Sequence, residues 1–218
     1  MTNLKNFDAK ANLVAVSHPL VQHKLTILRD KNTNSQLFRS LVRELGMLIA
    51  YEITRDLALS TRTIETPIEA MNAPTLANDN LVLISILRAG NGLLDGVLEL
   101  IPSARVGFLG LYRDPTTLQP VEYYCKFPST MAVADVFILD PMLATGHSAV
   151  AAVNKIKSFN PKSIRVVNLL AAPEGIETLS KAHPDIQIYV GAIDNKLNEH
   201  GYIVPGLGDA GDRLFGTK

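Results

Sequence analysis

The chain has 218 residues, 47% of them hydrophobic and 19% charged, enough for one domain with a sizeable core. Lys plus Arg and Asp plus Glu both number 21, so no bulk field draws the chain to nucleic acid or to an anionic membrane. A single cysteine, Cys125, excludes an intrachain disulfide framework and a CxxC metal site, and it is expected to be inert.

The first predicted element is a short helix over Pro19–Leu28. From Ser35 to Asp56, the residues Leu37, Phe38, Leu41, Val42, Leu45, Leu48 and Ile49 recur at three- and four-residue steps. That spacing predicts a long amphipathic helix, opened by an Asn34 or Ser35 cap. Strands and helices then alternate: strand Leu81–Ile86, helix near Leu93–Leu100, strand Val106–Leu111, strand Val136–Leu139, helix Ala149–Ser158. Strand Ile164–Leu170, a helix near Glu174–Ala182 and strand Ile186–Val190 follow. Such alternation predicts an α/β fold, a parallel sheet flanked by helices on both faces. Between these elements, Asp114–Pro120 is turn-rich and Val121–Phe127 is β-prone, which predicts a projecting hairpin across about 112–127. The N-terminal helices and a loop-rich segment, about 194–218, are expected to cap the sheet of one domain spanning 1–218.

The run Val136–Ser148 carries the most chemistry. Four apolar residues read as a buried strand, Asp140 sits at its carboxyl end, and a loop of small hydroxyl and glycine residues leads into a helix. Backbone N–H groups at a helix start bind anions, and the Thr145 and Ser148 hydroxyls add further bonds. Asp140 is then left to hold sugar hydroxyls. The plainer alternative is a strand-to-helix turn without a ligand. Arg88-Ala-Gly-Asn-Gly92 also follows a strand, offering a guanidinium clamp and glycines that admit a pyrophosphate close to the backbone. It is neither the dinucleotide fingerprint nor a P-loop. Arg113 ends a third strand; its alternative role is a surface pair with Asp114. Ligands of open α/β sheets bind outside the carboxyl ends of the strands, so these three loops converge on one polyanion site. The tail Gly201–Arg213 is too rich in glycine for helix or strand. It keeps Tyr202, Ile203, Val204 and Leu207, so it is expected to present fixed backbone donors and acceptors to a planar heterocycle. The histidines form no metal-binding spacing.

Asp140-Pro-Met-Leu-Ala-Thr-Gly146 resembles the phosphoribosyl pyrophosphate (PRPP) loop of type I phosphoribosyltransferases, in the form typical of uracil phosphoribosyltransferases. The tail Gly201–Arg213 is similar to the uracil-binding loop of that family. The likeness runs from His18–Thr26 to Asp209–Gly216, with Pro120–Tyr124 and Ala171–Gly175 between. It implies transfer of the 5-phosphoribosyl group of PRPP to uracil, giving UMP and pyrophosphate. By the same resemblance, PRPP is held by Arg88, Arg113, Asp140, Pro141, Met142, Leu143, Ala144, Thr145, Gly146, His147, Ser148 and Asp209. Uracil is held by Ile203, Gly208, Asp209 and Ala210. Arg88 and Arg113 would stabilise the departing pyrophosphate, and Asp140 the ribose hydroxyls and the developing cation. Asp209 would serve the pyrophosphate–metal end or help to activate uracil.

The resemblance further implies Mg²⁺ carried through the diphosphate of PRPP, a homodimer or larger homo-oligomer with the hairpin at its interface, and a nucleotide effector such as GTP. With no leader-like or spanning segment, the expected location is cytoplasmic, without membrane or nucleic-acid partners. The chain departs from the family's usual form in three places. Asn91 replaces the leucine of Arg-Ala-Gly-Leu-Gly, Pro115 a common acidic residue, and His147 a second glycine of the PRPP loop. Gly146 is expected to carry the special backbone geometry there, with His147 at an ordinary helix start and its ring turned outward. The alternatives are a weakly active nucleotide sensor or RNA-binding regulator on the same fold, or the same reaction on another base.

Overall fold

A computed structural model describes residues 12–113 and 120–217, with Arg113 described by its backbone alone. Strand β1 (Leu13–Ala15) is followed by helices α1 (Pro19–Arg29) and α2 (Ser35–Ile53). Proline in the first turn of α1 removes an amide that would lack a helical partner, and His18 Nδ1 accepts from the Leu20 amide at 3.2 Å. Asn34 rather than Ser35 caps α2, accepting from the Leu37 amide at 2.9 Å. The helix stops at Ile53, short of the predicted Asp56. Arg165 reaches across from the sheet, donating to the Ile53 carbonyl and to the Asp56 carboxylate, and so takes up the helix's terminal acceptor.

An antiparallel ribbon follows, β2 (Leu59–Glu65) with β3 (Ala70–Leu76), which the sequence reading does not anticipate. Nearly all its residues are exposed, so it lacks the alternation of apolar and polar residues by which a half-buried strand is recognised. The remaining elements are β4 (Leu81–Leu87), α3 (Gly90–Leu100), β5 (Arg105–Arg113), β6 (Pro120–Lys126), β7 (Asp135–Leu139), β8 (Met142–Leu143) and α4 (His147–Lys157). After them come β9 (Ser163–Ala171), α5 (Pro173–Ala182), β10 (Gln187–Ile193), β11 (Lys196–Leu197), β12 (Ile203–Val204) and α6 (Ala210–Phe215).

The main sheet has the order β1-β10-β9-β7-β4-β5-β6, with β8 beside β9. Every pairing in it is parallel except β5–β6. That antiparallel pair is the hairpin expected near 112–127. Its second strand is the edge of the main sheet, and its turn, 114–119, lies outside the described residues. Alternate residues of β4 serve opposite faces: Leu81 and Leu83 join the core under α1, α2 and α3, and Val82 and Ile84 the core under α4 and α5. Helices on both faces keep the central strands dry, which is why they read as continuous apolar runs. Among the described residues no helix is long and apolar enough to cross a membrane.

The cap expected from the two ends of the chain is fastened by arginines. Its tail, expected to hold neither helix nor strand, contains β12 and α6, because the positive-φ glycines Gly201, Gly206, Gly208 and Gly216 fall at the turns outside both elements. Arg213 Nη1 donates to the carbonyls of Leu28 and Leu207 at 2.8 and 2.9 Å, and its Nη2 to Asp30 at 2.6 Å. Its guanidinium also lies 4.5 Å from the centre of the Phe38 ring. Arg29 grips the Asp194 carboxylate with both terminal nitrogens, at 2.7 and 2.6 Å, and Asp194 in turn accepts from the Gly206 amide at 2.8 Å. The tail is thus tied to α1 and the α1–α2 loop by charge-assisted bonds.

Candidate active site

Strand order reverses beside β4, which has β5 on one side and β7 on the other. The helix after β4 packs on one face of the sheet and the helix after β7 on the opposite face, so the loops between part and leave a crevice. A cavity of about 280 Å³ fills it, lined by Ile86, Leu87, Arg88, Ala89, Leu111, Asp140, Met142, Ser148, Asp209, Ala210 and Gly211. Arg88, Asp140, Met142, Ser148, Asp209 and Ala210, all singled out from the sequence, therefore meet at one point. A second cavity of about 350 Å³ shares Asp209 and is lined by Tyr202, Gly208, Arg213 and the α1–α2 loop.

Within the Asp140 loop the residues divide. The Pro141 carbonyl accepts from the Leu169 and Leu170 amides at 2.9 and 3.1 Å, and Leu143, 1% exposed, is part of the core. These two shape the loop rather than line the cavity, and Ala144 and Thr145 continue it half-buried. Gly146 has φ +84°, and a β-carbon there would lie 2.7 Å from the Gly175 carbonyl oxygen. Only glycine meets both demands without strain. His147 opens α4 with ordinary backbone geometry and an exposed side chain, as the sequence reading expects. His147→Gly is therefore expected to change KM for PRPP by less than about tenfold at any pH between about 5.5 and 8. A tenfold or greater fall at every pH would show that the histidine obstructs the loop.

Asp140 is half-buried, and loss of hydration pushes its carboxyl up to about 7, against a weak opposing bond from the Met142 amide at 3.4 Å. Its backbone is clamped on both sides. The amide donates to the Val167 carbonyl at 3.1 Å, and the carbonyl accepts from Asn168 Nδ2 at 2.6 Å. Asn168 is fully buried and was not anticipated; its signal is an amide side chain in the otherwise apolar run Val166–Ala171.

Arg88 follows a cis Leu87–Arg88 peptide bond and is 56% exposed at its side chain. Its guanidinium lies 3.6 Å from the Asp212 carboxylate and 5.7 Å from the centre of the Phe215 ring. Neither partner was singled out from the sequence, although Asp212 falls in the tail that resembles the uracil loop and Phe215 two residues beyond it. Asp209 caps α6, its Oδ1 accepting from the Asp212 amide at 2.8 Å. Gly208, at φ +82°, turns the chain into that cap. Ile203 is 5% exposed and packs into the core, so any contact it makes with a base is through its backbone. The Arg113 side chain lies outside the described residues; its backbone ends β5 just beyond Leu111 on the cavity wall.

One guanidinium, two carboxylates and the start of α4 thus surround a crevice of a size for a sugar carrying several phosphates. Arg88 and the α4 N-terminus offer donors suited to anions, and Asp140 an acceptor suited to hydroxyls. A family model described as uracil phosphoribosyltransferase matches residues 15–217. The uracil phosphoribosyltransferase of Acidovorax ebreus is 60% identical over 95% of this chain and 100% of its own length. That of Paracoccus denitrificans is 59% identical over 96% and 99%. The solved structure of the AQ2163 protein of Aquifex aeolicus superposes with a TM-score of 0.90 at 38% identity, covering 94% of this chain and 99% of that one. With the family model spanning nearly the whole chain and the crevice built from the loops that carry the likeness, the chain belongs to the uracil phosphoribosyltransferase family.

Proposed function

We infer that the crevice between the Arg88 and Asp140 loops is where the chain transfers the 5-phosphoribosyl group of PRPP to uracil, giving UMP and pyrophosphate. The carrying observation is the convergence of Arg88, Asp140, Ser148 and Asp209 on one cavity at the reversal of strand order. The anomeric carbon becomes cationic as its bond to pyrophosphate breaks, and the uracil nitrogen closes on it. Asp140 holds the ribose hydroxyls and offsets that positive charge, while Arg88, joined by Arg113, takes the charge growing on pyrophosphate. The loop from Ala144 to Ser148 anchors the remote 5′-phosphate, so binding energy there aligns the reacting carbon. Ile203, Gly208, Asp209 and Ala210 present the backbone to uracil.

Among the described residues no group of three or more His, Cys, Asp or Glu side chains forms a metal cage. Mg²⁺ is commonly bound by one or two carboxylates and substrate phosphates, and Asp140 and Asp209 face the same cavity, so the donor set fits an ion carried on the diphosphate. When bound it would neutralise charge on the leaving pyrophosphate.

A base-by-base assay with PRPP and magnesium, following pyrophosphate release, tests this reading, and turnover with uracil alone is the expected result. No turnover together with RNA binding would favour the regulator instead; near-full-length relatives at 59–60% identity favour the enzyme. Arg88→Ala is expected to lower kcat/KM for PRPP by about 10- to 100-fold, the loss of a charge-assisted bond. An unchanged value in a folded variant would remove Arg88 from the site.

The quaternary state is proposed to be a homodimer or larger. Supporting it, Tyr112, Tyr123 and Tyr124 on the β5–β6 hairpin are 48%, 55% and 47% exposed, and the ribbon β2–β3 leaves Leu59 65% exposed. A two-stranded ribbon alone is marginal in water. Sedimentation of the full chain reads this directly. Cytoplasmic location and activation by a nucleotide such as GTP complete the proposal; adding GTP to the same assay tests the latter.

A further inference from the structure

Ser85 lies in the middle of β4, in the apolar run Leu81–Leu87, and is 0% exposed. A hydroxyl buried in such a strand requires a partner. Its Oγ donates to Asn91 Oδ1 at 2.8 Å. Asn91 belongs to the first turn of α3, and the residue at that helix's N-cap, Ala89, offers no side-chain bond. The amides of Asn91 and Gly92 only reach back to the Arg88 and Ala89 carbonyls, at 3.3 and 3.2 Å. The first turn that carries the Arg88 loop is therefore held to the sheet through Asn91.

The same bond lies beside the Asp140 loop. Ser85 pairs in register with Leu139, the residue before Asp140. Gly90 packs into this corner: a β-carbon there would run into the Leu139 carbonyl oxygen and stand 2.7 Å from Ser85 Oγ. Three backbones meet at the hydroxyl, those of β4, β7 and α3.

We propose that the Ser85–Asn91 pair is a latch that sets the Arg88 loop against the Asp140 loop, and that both are positioning residues. Neither is among the residues that line the cavity, so each acts through the loops it holds. Leucine, the family's usual residue at position 91, cannot accept from a hydroxyl, so serine at 85 and asparagine at 91 depend on each other in this chain. The proposal rests on the reading of the Arg88 loop as the diphosphate site.

The test is a double-mutant cycle in the full-length enzyme, with KM for each substrate, kcat and Tm measured for every variant. Asn91→Leu leaves the Ser85 hydroxyl buried without its acceptor, and is expected to raise KM for PRPP about tenfold while KM for uracil stays within about twofold, the result of a small displacement of one loop. Ser85→Ala, the gentler change, is expected to raise the same KM about threefold. Ser85→Ala with Asn91→Leu removes both polar partners and is expected to return KM for PRPP to within about threefold of wild type, since a buried pair replaced whole costs little. An unchanged KM in either folded single variant overturns the latch, as does a double variant no better than Asn91→Leu, or a loss of Tm without a change in KM. Arg88→Ala is measured beside them. If it leaves KM and kcat for PRPP untouched, the diphosphate reading fails; if it impairs PRPP use while Asn91→Leu does not, the latch alone fails.

Discussion

Supplied with PRPP and magnesium, the enzyme is expected to use cytosine about 10⁴-fold less efficiently than uracil, the discrimination of a site built around hydrogen bonds. The edge of uracil presents two carbonyl oxygens and a ring N–H between them. On the proposed reading, backbone donors and an acceptor near Ile203 and Gly208–Ala210 meet that order. Cytosine would bring an amino donor against a donor and leave buried groups unpaired. Such selectivity requires a backbone that cannot turn to suit the wrong base, and the tail is braced accordingly. Asp194 is held by both terminal nitrogens of Arg29 and itself holds the Gly206 amide. Arg213 ties the Leu207 carbonyl to that of Leu28. Competition of the two bases for one enzyme, read as the ratio of UMP to CMP formed, measures the factor; comparable efficiencies would sink this account of the tail.

Asp140→Asn keeps the shape of the side chain and removes its charge. The expected fall in kcat is about 10²–10³, equivalent to about 2.7–4 kcal/mol, with a smaller change in PRPP affinity, because the charge acts on a cation that exists only in the transition state. Near-wild-type turnover would reduce Asp140 to a turn former. The pH dependence adds an independent reading. Burial pushes the Asp140 carboxyl from the ordinary 3.8 up to about 7, so in the free enzyme the active carboxylate forms only as pH rises through neutrality. Wild-type kcat/KM for PRPP is expected to climb through about pH 7 and level off above it, and the Asn variant to show no such limb.

Stability moves the opposite way. The folded carboxyl ionises later than the unfolded one, so the native state binds more protons between about 4 and 7, and the ligand-free protein loses stability across that window as pH rises. Asp140→Asn lacks this loss. The variant is expected to gain Tm relative to wild type above about pH 7, a trade of stability against function. A parallel Tm–pH profile for the two proteins would show that the carboxyl is not strained by burial.

The residues by themselves determined the order of most elements and the chemistry of the loops that matter. Apolar runs such as Val136–Leu139 mark strands dry on both faces, and the spacing of Phe38, Leu41, Leu45 and Ile49 marks a helix with one buried stripe. The Asp140 loop is legible because its strand, acidic residue, glycine and helix start are consecutive in the chain. Gly146 and His147 divide their roles as their side chains dictate: only the residue without a β-carbon takes φ +84°.

Tertiary structure alone decided what depends on residues far apart in sequence. The ribbon β2–β3 escaped because its exposed faces carry no hydrophobic period. The end of α2 was set by Arg165, which arrives from a central strand 112 residues further along the chain. Asn168 on the Asp140 carbonyl, Asp212 and Phe215 around Arg88, and Ser85 on Asn91 are all choices of partner. Periodicity records how much of a residue is buried and on which side. It holds no information about which polar group will lie within 3 Å of another, because that distance is set by the packing of whole elements against one another.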